Sequence, residues 1–414
     1  MGMIMAGGRG ERLYPLTRDR AKPAVPFGGK YRIIDFVLSN FINSGIYSIY
    51  VLTQFKAQSL VEHLQEGWQF PSLLKDHFVT PVPAQMRTGA DWYLGTADAV
   101  YQNLHLIKRA DPEFVAVFGA DHIYKMNIRQ MVEDHRLKGA RVTVADLPVK
   151  LEEASKFGVM EVDGDWRILG FEEKPEEPKS IPGDPDQALV SMGNYLFETD
   201  LLVKALEDDA SNRESKHDFG GDILPLLVQE GKKVYAYDFR KNRIPTAFKG
   251  EELSYWRDIG TIEAYYEANM DVRAVDPALN LYNPSWPLRT VSYGDPPAKF
   301  VFDDEDRRGL ALDSVVTEGT IISGSLIRGS VIGRNVRIHS YCLIEDSIIM
   351  NRVEIGRGCR IRRAIIDKNV HISPGTEIGY SIDKDRERYF VSETGIVVIA
   401  REEPKPPWSA VPNP

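Results

Sequence analysis

Met5-Ala6-Gly7-Gly8-Arg9-Gly10-Glu11-Arg12-Leu13 closes a short apolar run that begins at Met3. Gly7, Gly8 and Gly10 suit neither a strand nor a helix, because glycine loses the most backbone entropy in either. They suit a turn whose backbone N–H groups approach an anion closely, and phosphate is the usual one. Arg9, Arg12 and Lys22 set cations on or just after the turn. The P-loop string G-x-x-x-x-G-K-[ST] does not start at Gly7 or Gly8. The G-x-G-x-x-G fingerprint also fails, since from Gly8 it meets Leu13 where its last glycine belongs. A glycine turn with solvated arginines is the plain alternative.

Beyond this turn, to about residue 275, apolar runs alternate with helical patterns. Strands are predicted at 47–52, 114–118, 141–145, 189–197 and 234–237, with helices at 96–110 and 126–139. The strands lack polar alternation, which predicts burial on both faces and a three-layer α/β domain with a mostly parallel sheet. Ligands of such sheets lie at the carboxyl ends of the strands. Gly7 marks one such end, and Gly119-Ala120-Asp121 marks another.

Residues 276–312 read as an ordered linker, because Pro277, Pro284, Pro287, Pro296 and Pro297 forbid long helices while Trp286 and Tyr293 give it something to bury. After about residue 313 the period changes. Val315, Ile321, Ile327; Ile332, Ile338, Ile344; Ile349, Ile355, Ile361; and Ile366, Ile372, Ile378 form a comb that recurs every 17 residues. A hexapeptide comb predicts a β-helix with the comb residues pointing inward. Residues 389–400 are expected to cap it within a domain spanning 313–400, and 401–414 to form a mobile tail. Cys342 and Cys359 share the 17-residue spacing, so they should stack about 5 Å apart. That separation permits a disulfide, but two stacked small hydrophobes are the preferred reading.

The 414 residues carry a formal charge of −9, which argues against nucleic acid or an anionic membrane as the main partner. No apolar run approaches the ~20 residues of a membrane span. With a glycine turn already at residue 7, no signal peptide is expected. Two cysteines are too few for a disulfide framework, so a cytoplasmic location is expected.

Several residues invite chemistry. Asp121 and Asp258 are aspartates at strand ends that together suit Mg²⁺, an ion held by one or two carboxylates plus phosphate oxygens. A turn or helix-cap role is the alternative for each. Lys174, just before Pro175, is expected in an extended conformation and suits a phosphate. Ser191 and Gly193 interrupt a strand, as a sugar site or a bulge would. Gly95-Thr96 turns into a helix with Thr96 as its expected cap. No zinc spacing and no G-x-S-x-G elbow occur.

Together these strings resemble the sugar-nucleotide pyrophosphorylases, and within them the bacterial ADP-glucose pyrophosphorylases. The likeness covers nearly the whole chain. It is carried by Ala6-Gly7-Gly8-Arg9-Gly10-Glu11-Arg12-Leu13, Arg20-Ala21-Lys22-Pro23, Trp92-Tyr93, Gly95-Thr96-Ala97-Asp98, Asp121-His122-Ile123-Tyr124, Phe157-Gly158-Val159-Met160, Glu173-Lys174-Pro175, Ser191-Met192-Gly193 and Trp256-Arg257-Asp258-Ile259-Gly260-Thr261. It implies a Rossmann-like nucleotidyltransferase domain over 1–275, followed by a left-handed parallel β-helix for regulation and oligomerisation. It also implies a homotetramer that makes ADP-glucose for glycogen from ATP and glucose 1-phosphate, with Mg²⁺ and a phosphorylated-metabolite effector. By similarity Arg12, Lys22 and Asp121 are catalytic, and Gly7, Gly8, Arg9, Gly10, Gly95 and Thr96 meet the nucleotide. Tyr93, Gly158, Glu173, Lys174 and Ser191 hold glucose 1-phosphate, while Asp121 and Asp258 hold the metal. Gln54 and Trp92 match positions linking regulatory and substrate sites, and Arg20, Arg32, Arg362 and Arg363 are effector candidates. Two departures stand out: Ala120 replaces the glycine usual before the catalytic aspartate, and Asp19 occupies a position often basic.

Overall fold

The computed structural model describes residues 1–71, 76–87, 91–181, 183–247, 252–304 and 306–401. The strand Gly2–Ala6 runs at the centre of a nine-stranded sheet, parallel to Ser48–Thr53 on one side and Phe114–Gly119 on the other. Phe78–Pro83 extends the first side in parallel. Gln187–Glu198 runs antiparallel to Phe114–Gly119, Val142–Lys150 and Gly158–Val162, and Val234–Asp238 lies parallel to Val142–Lys150. Met3 and Ile4 project to opposite faces, yet both are fully buried, one among Val117, Phe197 and Leu202, the other among Phe41, Val51 and Phe118. Apolar layers on both faces explain why these strands lack polar alternation.

The helix expected over 96–110 is two helices, Thr96–Tyr101 and Leu104–Ala110. The buried Asn103 separates them, its Nδ2 donating to the Ala99 carbonyl at 2.8 Å. Such side-chain competition for backbone acceptors is what disfavours asparagine inside helices.

Three sheets form the C-terminal prism, parallel throughout except at one edge, where Phe390–Val391 runs antiparallel to Val397–Ile399. The second to fourth coils follow the predicted comb, with Ile338, Ile344, Ile355 and Ile361 fully buried. The first coil departs from it. Val316 pairs with Ile332 and Ile322 with Ile338, so Val316 and Ile322 take the inward register and Ile321 lies 37% exposed. The turn between Ile322 and Ile327 is one residue shorter than that between Ile338 and Ile344, and this shifts the register by one. Within the expected linker, Lys299–Val301 and Leu310–Leu312 already pair in parallel with the prism sheets. Trp286 is buried there, donating to Asn40 Oδ1 at 3.3 Å. In the expected cap, Val397–Ile399 continues one prism face beside Ala364–Ile366. Cys342 and Cys359 are buried free thiols. Residues 402–414 of the expected tail lie outside the described residues.

Prism and sheet domain share one apolar cluster, in which Phe27, Ile262 and Tyr265 meet Val331, Ile348 and Val398. Tyr265 and Tyr266 lie on the helix Ile262–Asp271. Tyr265 Oη donates to the Pro26 carbonyl at 2.5 Å, and Tyr266 Oη to the Asp346 carbonyl at 2.6 Å. The same helix follows directly on the Asp258 strand, so the prism buttresses the element that carries Asp258.

Candidate active site

A cavity of about 530 Å³ opens at the carboxyl ends of Gly2–Ala6 and Phe114–Gly119. Gly7, Gly8 and Gly10 form one wall, while Gly158, Glu173, Lys174, Ser191 and Gly193 form the opposite one. Arg12, Lys22, Asp121 and Asp258 lie between, and Tyr93, Gly95, Thr96 and Gln54 also line it. Arg12, Lys22, Asp121 and Arg9 also line a second cavity of about 410 Å³ on the other side of the turn.

Lys22 is the central charge. Its side chain is 6% exposed, and its Nζ lies 3.2 Å from Asp121 Oδ2 and 3.6 Å from Asp258 Oδ1. The two aspartates arrive there by strand pairing, since Tyr255–Asp258 runs antiparallel to His122–Lys125 with Asp258 opposite His122. Thr261 caps the following helix by accepting from Ala264 N at 3.2 Å, which leaves Asp258 free of the cap role. Partial desolvation in the cavity opposes the charge of Asp121, but His122 and Lys22 outweigh it and hold its carboxyl below the usual range. Ala120 does not occupy the left-handed region, so alanine is tolerated where a glycine is usual. Two converging carboxylates suit a Mg²⁺ that takes its other ligands from phosphate and water. The cation already seated between them here is Lys22, and the described residues contain no cluster of three metal-ligating side chains.

The wall opposite the glycine turn is a β-bulge. The register between Gln187–Glu198 and Val142–Lys150 shifts between Ser191 and Tyr195, and Gly193 at φ 70° makes the turn. Ser191 Oγ accepts from Gly193 N at 3.1 Å. Lys174 is not extended. It has φ 49°, because its amide is drawn to the Phe157 carbonyl at 3.0 Å as the ladder closes. Its Nζ lies 2.8 Å from Glu173 Oε1.

Gly95 is required by close approach, since a Cβ there would sit 2.2 Å from the His217 carbonyl oxygen. Thr96 is not the cap of its helix, where Gly95 holds that place without a side-chain bond. Thr96 Oγ1 instead donates to Asp218 Oδ2 at 2.7 Å and accepts from Phe219 N at 3.0 Å. Gln54 clasps the Tyr93 backbone, with its Oε1 accepting from Tyr93 N at 2.9 Å. Trp92 stands outside the cavity, 53% exposed.

The effector candidates fall into two groups. Arg20 forms a buried ion pair with Asp367, and Arg32 donates to Ser59 Oγ at 3.0 Å. Lys368 joins them, its pKa lowered to about 8 by burial and by Arg20 and Arg32. Arg362 and Arg363 instead line a separate cavity of about 430 Å³ with Arg273. Lys368 follows a comb isoleucine by two residues and carries no motif, so only the folded seam brings it to attention.

The fold and site define a nucleotidyltransferase, and the comparisons agree. Residues 1–275 match the family model described as "Nucleotidyl transferase", and 296–399 match "GlmU-like, C-terminal hexapeptide". The chain is 59% identical to a glucose-1-phosphate adenylyltransferase of Thermus thermophilus over 97% of its own length and 98% of the relative's. It is 53% identical to one of Deinococcus deserti and 52% to one of Vibrio vulnificus, at the same coverage. The chain belongs to the glucose-1-phosphate adenylyltransferase family.

Proposed function

We propose that this chain transfers the adenylyl group of ATP to glucose 1-phosphate, giving ADP-glucose and pyrophosphate for α-1,4-glucan (glycogen) synthesis. The observation that carries this reading is Lys22, held between Asp121 and Asp258 beside the glycine turn, in the one cavity that the bulged wall also lines. A phosphate oxygen of the sugar phosphate attacks the α-phosphorus in line. The bond to the pyrophosphate oxygen breaks, and pyrophosphate leaves. No enzyme nucleophile is required, so positioning and charge stabilisation do the catalysis. The backbone of Gly7–Gly10 and the side chains of Arg12 and Lys22 bind the triphosphate. Glu173, Ser191 and Gly158 orient the sugar, and Lys174 meets its phosphate. Asp121 and Asp258 would hold Mg²⁺, whose charge, when bound, neutralises the phosphate oxygens.

Regulation by a phosphorylated metabolite is part of the proposal, with Arg32 and Lys368 forming one cationic group, which Arg20 supports from its buried pair with Asp367, and Arg362 and Arg363 another. Assembly as a homotetramer and a cytoplasmic location complete it. The buried free thiols fit a reducing compartment, and no helix among the described residues is long and apolar enough to cross a membrane.

The test is pyrophosphate release from each nucleoside triphosphate with glucose 1-phosphate and Mg²⁺. ATP is expected to be preferred; preference for dTTP or UTP would sink the adenylyl reading.

A further inference from the structure

One cation lining the cavity has no role in the reading above. Lys156 is exposed and lies on the sugar wall. Its backbone is fixed from both sides. The preceding helix Leu151–Ala154 is anchored by the fully buried Ala154, and the Lys156 amide is bound by the Glu153 carbonyl at 3.3 Å. The following Phe157 packs edge-on to Trp256 at 5.9 Å, and its carbonyl receives the Lys174 amide. Gly158 lies opposite Glu173 in the antiparallel ladder. Lys156 and Lys174 therefore stand diagonally across the end of the Gly158–Val162 and Ile168–Glu173 strand pair that lies away from its connecting turn, beside the surface assigned to the sugar phosphate.

The charges there do not balance a phosphate dianion without Lys156. The Lys174 ammonium is already paired with Glu173 at 2.8 Å, so this pair presents close to zero net charge to an incoming phosphate. At the other end, Lys22 is shared between two carboxylates. Lys156 makes no ion pair among the described residues.

We propose that Lys156 is a second phosphate-binding residue of the sugar-phosphate subsite. Its free ammonium meets the monoester dianion that the neutralised Lys174–Glu173 pair meets only weakly. This inference rests on the adenylyltransferase reading and deepens it. A flexible lysine acting as a point charge lowers the concentration at which the dianion binds and adds little that is special to the transition state. Its signature is therefore a change in KM at nearly constant kcat.

The experiment compares wild type with Lys156→Ala, Lys156→Arg and Lys156→Glu, using steady-state kinetics with glucose 1-phosphate and ATP varied separately. Lys156→Ala is expected to raise KM for glucose 1-phosphate about tenfold. Lys156→Glu should raise it further, and Lys156→Arg should stay near wild type. KM for ATP, kcat and the thermal midpoint should hold in all three. The wild-type KM for the sugar phosphate should also rise with salt more steeply than that of Lys156→Ala. A KM for glucose 1-phosphate within twofold of wild type in both Lys156→Ala and Lys156→Glu would overturn the proposal. Failure of the underlying reading is separately visible, because wild type would then not consume glucose 1-phosphate with ATP at all.

Discussion

Arg20 and Lys22 stand two residues apart, and both are buried beside carboxylates, yet they face opposite ways. Arg20 turns to the prism and meets Asp367, whose side chain is 3% exposed. Lys22 turns to the cavity and meets Asp121 and Asp258, whose side chains are 45% and 22% exposed. The seam pair is closed to solvent on both sides. The cavity pair is buried at the lysine and open at the carboxylates, so a ligand can enter there and take over part of the charge. The same two kinds of group thus serve as a fastener in one place and as reactive machinery in the other, and exposure of the acid decides which.

The comparison is broken most forcefully at the fastener. Asp367→Ala leaves the Arg20 guanidinium buried without its partner, and such losses cost about 3–5 kcal/mol. Chemical denaturation should show that loss, while kcat measured well below the unfolding transition stays near wild type. An unchanged unfolding midpoint would mean that the pair does not fasten the seam. Asp121→Asn should do the reverse. It removes about 2–4 kcal/mol of transition-state stabilisation, about 30- to 1,000-fold in turnover, with a smaller loss of stability than Asp367→Ala because Asp258 still partners Lys22. Near-normal turnover would remove Asp121 from the mechanism.

Smaller changes sharpen the contrast. Ile355→Val, in the closed prism core, should cost about 0.5–1.5 kcal/mol in unfolding free energy and leave KM for both substrates alone. Lys368 gives the mildest effect. Its pKa stands at about 8 against an ordinary 10.5, so the folded chain holds fewer protons than the unfolded chain between those values. Stability contributed by this group therefore rises with pH across that window. Anion binding has the opposite sign, because it needs the protonated ammonium. Affinity for a phosphorylated effector should fall several-fold from pH 7 to pH 9 in wild type and stay level in Lys368→Met. Equal pH dependence in both would take Lys368 out of the effector group.

Most of the architecture was legible because it is periodic. The comb isoleucines repeat through three coils, and its failure in the first coil, at Val315 and Ile321, came from a turn shortened by a single residue, which no period can announce. The central strands were legible from unbroken apolar runs such as 114–118, buried on both faces. The site was legible only in part. Short strings pointed to Gly7, Lys22, Asp121 and Asp258, but the contacts among them join segments up to 236 positions apart, as Lys22 is from Asp258. Thr96 read as a cap because its spacing fits one, whereas the folded chain brings Asp218 to its hydroxyl. Lys174 read as extended because a proline follows, whereas a carbonyl on the neighbouring strand turns it. Lys156 and Lys368 carry no local pattern at all, and their surroundings exist only in the fold.

The central claim is that one cavity holds both substrates for direct transfer, with Lys22 and two aspartates in place of any enzyme nucleophile. It is tested most directly by the stereochemical course at phosphorus, using one diastereomer of ATP with sulfur on the α-phosphate and reading the configuration of the sugar nucleotide formed. Inversion is the result the account predicts. Retention would require a covalent adenylyl-enzyme intermediate and would contradict it.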